Sequence, residues 1–413
     1  MKTIHVLSTL KEMLPALGNR NYRLFFAGQG FSLIGTWIQQ VAMSWLVYRL
    51  TGSAFLLGVI GFTSQIPSLV LSPVAGVLAD RLDRRRILIV TQIVSMLQAF
   101  TLAAIVLLNG AEVWHIIVLS IVLGIANAVD MPVRHSFTVE MVEDRKYLGN
   151  AIALNSSLFN GARLIGPSLA GILISLFGEG LCFLINGASY LAVIAALMAM
   201  KVPPYAEKAG SEPILQELRE GFTYAWHNGP IRSILMLVVL VSLAGMPYTV
   251  LLPVFASQIF HGGANTYGFL LTASGIGAFV ATIFLASRRD TAGLCRIISM
   301  AIMIFSIGLA SFALSRSIWL SIPFLFLTGF GVITQLASSN TILQTVVDEN
   351  KRGRVMSLYT MALMGIAPLG SLLAGTLAVA IGVTATLLAG SAACMTGAFI
   401  FERKLRKTRK EHC

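Results

Sequence analysis

The sequence predicts an all-α membrane protein in which twelve transmembrane helices form two pseudo-symmetric six-helix bundles. Its 413 residues have a mean hydropathy of +0.80, and 56% of them are hydrophobic while only 12% are charged. A soluble domain carries about twice that share of charged residues, so lipid must cover most of this protein. Twelve long apolar runs give the number of helices, and a glycine pattern that recurs in the second half of the chain predicts the pseudo-symmetry.

Each apolar run is long enough to cross a bilayer as a helix, which takes about 20 residues. The runs also lack the strict alternation of barrel strands. They lie at about 22–48, 54–79, 87–108, 113–133, 148–177, 180–200, 231–256, 267–286, 293–314, 318–340, 355–379 and 382–401.

Lysine and arginine cluster in every second connection between the runs. With the N-terminus inside, the cytoplasmic segments hold all 30 basic residues except Arg49, Arg163 and Arg316. Because basic loops stay on the cytoplasmic side, we expect a multi-pass protein of the bacterial inner membrane with both termini in the cytoplasm. The same clustering indicates that the net charge of +12 serves to orient the protein in the membrane. We therefore do not expect nucleic acid as a partner.

The longest connection separates the two halves. We expect an N-terminal bundle at 1–200, a cytoplasmic linker at 201–230, and a C-terminal bundle with a basic tail at 231–413. Within the linker, Ile214, Leu218 and Phe222 recur every four residues and would form one apolar stripe on a helix. Such a helix is expected to lie on the inner leaflet, and a solvated linker is the alternative.

An internal repeat relates the two halves. Four glycines reappear 204 positions later, namely Gly149, Gly161, Gly166 and Gly171 as Gly353, Gly365, Gly370 and Gly375. Runs five and eleven are therefore expected to occupy equivalent positions. A repeat of this kind predicts a central cavity between the halves as the substrate site.

The connection between runs two and three carries a glycine, then an aspartate, then basic residues, in the order Gly76, Asp80, Arg81, Arg84 and Arg85. This order resembles the loop signature of the major facilitator superfamily, which implies a gating latch. The glycine permits close helix approach, and the aspartate can pair with an arginine. Asp83 stands at the family's second glycine, so the turn is expected to differ. An ordinary positive-inside loop is the alternative.

Asp130 is the carboxylate that lies deepest within a run, near the cytoplasmic end of run four. From its depth we expect it to meet Arg81, Arg84 or Arg85 as a partner of the latch. The alternatives are a proton-binding carboxylate and a solvated charge at a helix end.

Run five contains Gly161, Gly166, Pro167 and Gly171. This pattern resembles the Gly-Pro signature that the superfamily associates with exporters working as antiporters. Proline is expected to bend the helix, and the small residues are expected to pack closely on a neighbour. A kinked helix with no bearing on transport direction is the alternative.

Arg163 lies in the middle of run five, and no acidic residue is within a helical turn of it. A charge inside a span is functional by default, so we expect an unpaired arginine that faces the cavity and suits an anionic or hydrogen-bond-accepting substrate. The alternative is a structural arginine that binds carbonyls freed by Pro167. Further candidates for the cavity are Asn155, Gln40, Tyr248, Gln335, Asn340 and Tyr359, for which helix–helix hydrogen bonds are the alternative.

Three sequence segments indicate a family within the superfamily. They are 19–25 (NRNYRLF), 162–167 (ARLIGP) and 353–359 (GRVMSLY). They resemble the third drug:proton antiporter family, which includes enterobactin exporters and macrolide efflux proteins. The resemblance implies a monomeric secondary transporter that exports a small amphiphilic molecule, siderophore or drug-like, by alternating access and proton antiport, without a cofactor. One departure is Ser120, which stands where such antiporters often carry an arginine.

Two other functions stay open, a lipid or lysolipid flippase and a non-transporting receptor or scaffold. An enzyme is not expected, because no nucleophile–base pair, metal-ligand cluster or phosphate-binding loop stands out in the sequence.

Overall fold

The computed structural model describes residues 15–142, 145–201, 214–288, 293–349 and 351–407, which are mainly helical and contain no strand within these ranges. Twelve long helices follow in chain order. They are α1 (Arg20–Thr51), α2 (Ala54–Arg81), α3 (Arg84–Leu107), α4 (Val113–Met141), α5 (Leu148–Phe177), α6 (Glu179–Ala199), α7 (Gly229–Ile259), α8 (Ala264–Ala286), α9 (Leu294–Leu314), α10 (Ile318–Val346), α11 (Arg352–Ile381) and α12 (Val383–Lys407). A shorter linker helix, Ile214–His227, lies between α6 and α7.

Eleven of these helices, α2 to α12, contain a stretch of the described chain that is long and apolar enough to cross a membrane. Helix α1 does not reach that composition because Gln39 and Gln40 interrupt its apolar residues. Its 32 residues nevertheless extend over about 48 Å, more than the roughly 30 Å of a hydrocarbon core. The prediction of an all-α membrane fold is confirmed.

The chain divides into two compact units. The first comprises Met1–Met43 and Val70–Ala209, and the second comprises Ser44–Leu69 and Gly210–Cys413. The end of α1 and the start of α2 therefore pack with the second unit, a division that sequence periodicity does not reveal. The domain limits at 1–200, 201–230 and 231–413 stay a prediction.

The core of the first unit joins residues of α1, α3, α4 and α6. Tyr22 and Phe25 pack there with Leu88, Phe137 and Leu197, and all five are nearly inaccessible to solvent. The Tyr22 hydroxyl also donates to the Ala151 carbonyl of α5, at 2.8 Å. The two aromatic rings thus fix α1 against α3, α4 and α6, and the hydrogen bond joins α1 to α5.

Equivalent glycines of α5 and α11 pack against equivalent neighbours. A Cβ added at Gly166 would lie 2.5 Å from the Trp37 Cβ of α1, and one added at Gly370 would lie 2.6 Å from the Leu243 carbonyl oxygen of α7. Each glycine thus lets its helix approach the first helix of its half. These matching contacts support the repeat of 204 positions.

The described part of the second unit contains three widened, π-helical turns, Val241–Gly245 and Phe255–Ile259 in α7 and Met361–Gly365 in α11. The first and the third come just before a proline, Pro247 and Pro368 respectively. A proline ring clashes with the carbonyl four residues earlier, and that carbonyl lies inside the widened turn in both helices. These two turns therefore absorb the two prolines without ending the helices.

The glycine contact at Gly166 gives a stability prediction. We expect Gly166→Ala to lower the unfolding temperature, because overpacking costs about 1–3 kcal/mol. Gly161→Ala should leave it unchanged or raise it slightly, because a Cβ there meets no atom within 4 Å and alanine favours the helix. Thermal unfolding in detergent can be followed with a dye that reacts with the buried thiols of Cys182 and Cys394. Equal effects of the two substitutions would contradict this account of the packing.

Candidate functional site

The connection between α2 and α3 ties the start of α3 to two other helices of the first unit. Arg84 forms an ion pair with Glu140 near the end of α4. The Arg85 guanidinium donates to the carbonyl oxygens of Leu197 and Met198, each at 2.7 Å, where α6 ends. These carbonyls have no partner within their own helix, so Arg85 supplies it. Both contacts belong to the expected cytoplasmic rim.

Asp83 occupies the position at which the loop signature has its second glycine. Its φ of −60° and ψ of 107° are extended values that any residue adopts, and its side chain accepts a hydrogen bond from the Arg86 backbone N–H at 3.3 Å. Asp83 therefore serves as the N-cap of α3. The side chains of Gly76, Asp80 and Arg81 lie outside the described part of the structure, so their role as a latch stays a prediction.

Asp130 lies deeper in the first unit and is only 5% exposed. Its Oδ1 accepts hydrogen bonds from Thr91 Oγ1 and Gln92 Nε2, each at 2.8 Å, and its Oδ2 pairs with Arg134. Arg84 and Arg85, two of the three arginines expected to meet Asp130, bind other groups. The side chain of Arg81 lies outside the described part of the structure, so a contact with it stays a prediction. Ten residues, or about 15 Å of helix, separate Asp130 from Glu140, which is the carboxylate that lies opposite the start of α3.

A buried network of amides lies in the same unit as Asp130. Gln39 of α1 donates to Gln98 Oε1 of α3 at 2.9 Å, and Asn186 of α6 donates to Gln39 Oε1 at 2.8 Å. The Asn186 amide also contacts the Tyr190 hydroxyl at 3.3 Å. Sequence reasoning missed this network, although the polar spacing of Gln92, Ser95 and Gln98 in run three marks one helix face.

Helix α5 contains the residues of the antiporter signature. Pro167 lies inside a continuous helix, Gly166 contacts α1, and Gly161 faces open space, so close packing does not extend to Gly161. Arg163 is half-buried and interacts with another group. The expectation of an unpaired arginine is therefore wrong. Its role towards substrate stays a prediction.

The other candidates for the cavity make mostly protein contacts. Tyr248 and Ser274 hydroxyls lie 2.6 Å apart, the Tyr359 hydroxyl donates to the Leu336 carbonyl at 2.9 Å, and Asn155 Oδ1 lies 3.0 Å from the Tyr22 hydroxyl. These three contacts join different helices, as the alternative interpretation expects.

The remaining three candidates differ in exposure. Gln335 is buried and donates to Ser339 at 3.2 Å, while its Oε1 has no hydrogen-bond partner among the described residues. Asn340 accepts a hydrogen bond from Gln344 at 2.5 Å, and Gln40 is exposed. Their role in substrate binding stays a prediction.

A cavity of about 590 Å³ lies elsewhere in the second unit, between the α1–α2 turn, the end of α7 and the α11–α12 turn. Its polar lining consists of Ser53, Gln258 and Thr384. None of the residues selected from the sequence lines it.

The linker helix contacts the start of α11. Glu220 pairs with Arg354, and the Tyr224 hydroxyl donates to the Asp348 carboxylate at 3.1 Å. Partial burial and this hydrogen bond raise the pKa of Tyr224 above its ordinary value. Phe222 and Trp226 stack with ring centroids 5.6 Å apart and are 56% and 46% exposed. The side chains of Ile214 and Leu218 lie outside the described part.

Comparison with known proteins decides the family. A model of transmembrane secretion effectors matches residues 12–412, which is almost the whole chain. The chain belongs to this secretion effector family. It is therefore a membrane transporter of the major facilitator superfamily, and the predicted resemblance is confirmed.

Relatives of this secretion effector include exporters. The staphyloferrin A transporter of Staphylococcus aureus is 28% identical over 392 residues, which cover 93% of this chain and 97% of the relative. The multidrug efflux pump Tap of Mycolicibacterium fortuitum is 25% identical and covers 86% and 88% of the two chains. The crystal structure of a mutant of the nucleoside transporter NupG is 14% identical, with a TM-score of 0.73 over 93% of this chain and 99% of that one. This last likeness concerns the fold alone.

The contacts of Arg85 give a second prediction. We expect Arg85→Lys to lower the unfolding temperature, because an ammonium group cannot bind both carbonyls as the guanidinium fork does. Hydrogen bonds from charged groups contribute about 1.5–3 kcal/mol. Arg86→Lys is the matched control, since the Arg86 side chain is 86% exposed. Thermal unfolding of the two purified variants tests this, and an equally large loss in Arg86→Lys would refute it.

Proposed function

We propose that this secretion effector is a secondary exporter that moves a small amphiphilic molecule, siderophore or drug-like, out of the cytoplasm by alternating access with proton antiport. The observation that carries the proposal is the nearly full-length match to a siderophore transporter and a multidrug efflux pump. In this proposal the protein acts as a monomer in the bacterial inner membrane, with both termini in the cytoplasm.

The geometry supports movement of helices around the expected cytoplasmic rim. Arg84 and Arg85 bind the ends of α4 and α6 through an ion pair and two hydrogen bonds to carbonyls. Such contacts at helix ends can break and form again without exposing a hydrophobic core. We include Gly76, Asp80 and Arg81 in this proposed latch on the resemblance of their sequence order.

Export is tested by accumulation of a panel of siderophores, macrolides and fluorescent drugs in an efflux-deficient host with and without the protein. Lower accumulation of at least one compound, reversed when the proton gradient is collapsed, supports the proposal. Translocation of labelled lysolipid in proteoliposomes tests the flippase alternative. No difference for any compound or lipid would favour a receptor or scaffold.

Arg163 is the proposed contact for an anionic or hydrogen-bond-accepting substrate. We expect Arg163→Ala to weaken the apparent affinity for anionic panel compounds about tenfold to a hundredfold, as the loss of a charge-assisted hydrogen bond would. Arg163→Lys should retain part of the affinity. The exposed Arg316 supplies the control Arg316→Ala. Unchanged export of every anionic compound by Arg163→Ala would exclude this role.

We also propose that the linker helix lies on the inner leaflet and inserts Phe222 and Trp226 among the lipids. The fluorescence of Trp226 is obtained as the difference between the wild type and Trp226→Phe. We expect lipids brominated near the headgroup to quench this difference signal. Phe222→Ala should weaken this quenching. Quenching of the same difference signal by aqueous iodide alone would show a solvated linker instead.

A further inference from the structure

The linker helix has two unlike faces. Glu220 and Tyr224 lie on the face that binds the start of α11. Phe222 and Trp226 each follow two residues later, which is about 200° around a helix of 3.6 residues per turn. They therefore lie on the opposite face, where their stacked rings are exposed. The contacts with α11 thus determine which side of the linker helix carries the exposed aromatic pair.

A cation of α7 lies against this aromatic face. The guanidinium carbon of Arg232, in the first turn of α7, is 5.5 Å from the centroid of the Trp226 ring. A separation below about 6 Å is typical of a cation–π contact. The Arg232 side chain is half-buried. The contact therefore holds the guanidinium beside the exposed pair of rings.

No acidic side chain neutralises Arg232 within the part of the chain that the structure describes. Its guanidinium forms neither an ion pair nor a hydrogen bond there. The sequence contains no aspartate or glutamate from 221 to 289, and Glu220, the nearest acid along the chain, pairs with Arg354. A guanidinium has five N–H donors in a planar fork. None of them has an acceptor among the described residues.

The helix that carries Arg232 does not stabilise its charge either. The N-terminus of a helix has about half a positive charge, so a cation there is unfavourable and an anion is favourable. The N-cap of α7 is Asn228, whose side chain accepts a hydrogen bond from the Ile231 N–H at 3.3 Å. This cap is neutral and adds no negative charge. An anion beside Arg232 would therefore offset both the guanidinium and the helix end.

The chemistry of this surface fits the headgroup of an anionic phospholipid. Tryptophan is enriched at the membrane interface, where the headgroups lie. Arginine binds phosphate through two parallel hydrogen bonds. The exposed rings of Phe222 and Trp226 would contact the acyl chains next to that phosphate. A soluble phosphate could use the same donors but would leave both rings in water.

We propose that Arg232, held against Trp226, binds the phosphate of an anionic phospholipid of the inner leaflet. This inference rests on the proposed position of the linker helix and names the lipid group that holds the helix there. The guanidinium donates to the phosphate oxygens while the two rings lie among the acyl chains. The lipid thereby joins the end of the linker helix to the start of α7.

Quenching of Trp226 by two brominated lipids tests the site. The full chain is reconstituted into phosphatidylcholine vesicles that contain a small fraction of brominated phosphatidylglycerol or, in a parallel sample, the same fraction of brominated phosphatidylcholine. The difference signal between the wild type and Trp226→Phe reports on Trp226. We expect the anionic lipid to be enriched about fivefold beside Trp226, as one arginine near an anionic surface predicts. It should therefore quench this signal more strongly.

Two variants of Arg232 separate the site from general attraction to the membrane. Arg232→Gln should remove the preference for the anionic lipid, and Arg232→Lys should keep part of it; each is measured against its own double variant with Trp226→Phe. Arg296→Gln is the matched control and should keep the full preference. Arg296 is exposed in the first turn of α9 and, among the described residues, forms neither an ion pair nor a contact with an aromatic ring.

The outcomes distinguish this inference from the proposed function. Equal quenching by the two lipids in the wild type would overturn the site while insertion of the linker helix stands, and this comparison needs no variant of Arg232 that folds. Quenching by neither lipid would refute both. A preference that survives in Arg232→Gln, or one that Arg296→Gln loses equally, would also overturn the site.

A soluble anion is the remaining source of a phosphate group. Inorganic phosphate added at constant ionic strength should leave the preference for phosphatidylglycerol unchanged. Loss of the preference would identify a site for free phosphate and overturn the lipid. Export of the panel compounds is measured by accumulation, so neither result depends on it.

Discussion

Lipid offers no hydrogen bonds, so a polar side chain within a span is costly unless a group inside the protein binds it. This constraint determines which side chains meet in the first unit. The amides of Gln39, Gln98 and Asn186 bind one another. Asp130 accepts hydrogen bonds from Thr91 and Gln92 and pairs with Arg134. Each cluster joins at least two helices. Polar groups therefore fix the rotation and register of helices that apolar packing alone would leave free to turn.

The same constraint governs where the backbone departs from regular helix. A proline removes one N–H and displaces a carbonyl, yet neither α7 nor α11 ends at its proline. The widened turn before Pro247 keeps its own hydrogen bonds, as between the Met246 N–H and the Val241 carbonyl at 2.8 Å. Gly370 then lies against the carbonyls of this turn, because a glycine carries no Cβ that would collide with them. The irregular backbone of this turn is thus covered by protein.

The sequence predicted the helices better than their contacts. Hydropathy changes sharply at helix ends, so the bounds of most runs, such as 148–177 for α5, agree closely with the structure. The depth of Asp130 was also readable, because its run continues on both sides. Its partners were not, since they depend on how α3 and α4 face each other. Charges near helix ends look alike in a sequence, which is why Glu140 was not distinguished as the partner of Arg84.

Helix α4 carries two ion pairs that connect differently. Asp130 and Arg134 are four residues apart and pair within the helix, whereas Glu140 near its end binds Arg84 at the start of α3. Six residues, or about 9 Å of helix, separate Arg134 from Glu140, which is within the Debye length at physiological salt. A change of charge in one pair therefore acts on the other without any contact between Asp130 and the loop. By linkage the effect is reciprocal, so the state of the pair between Arg84 and Glu140 also bears on the pair within α4.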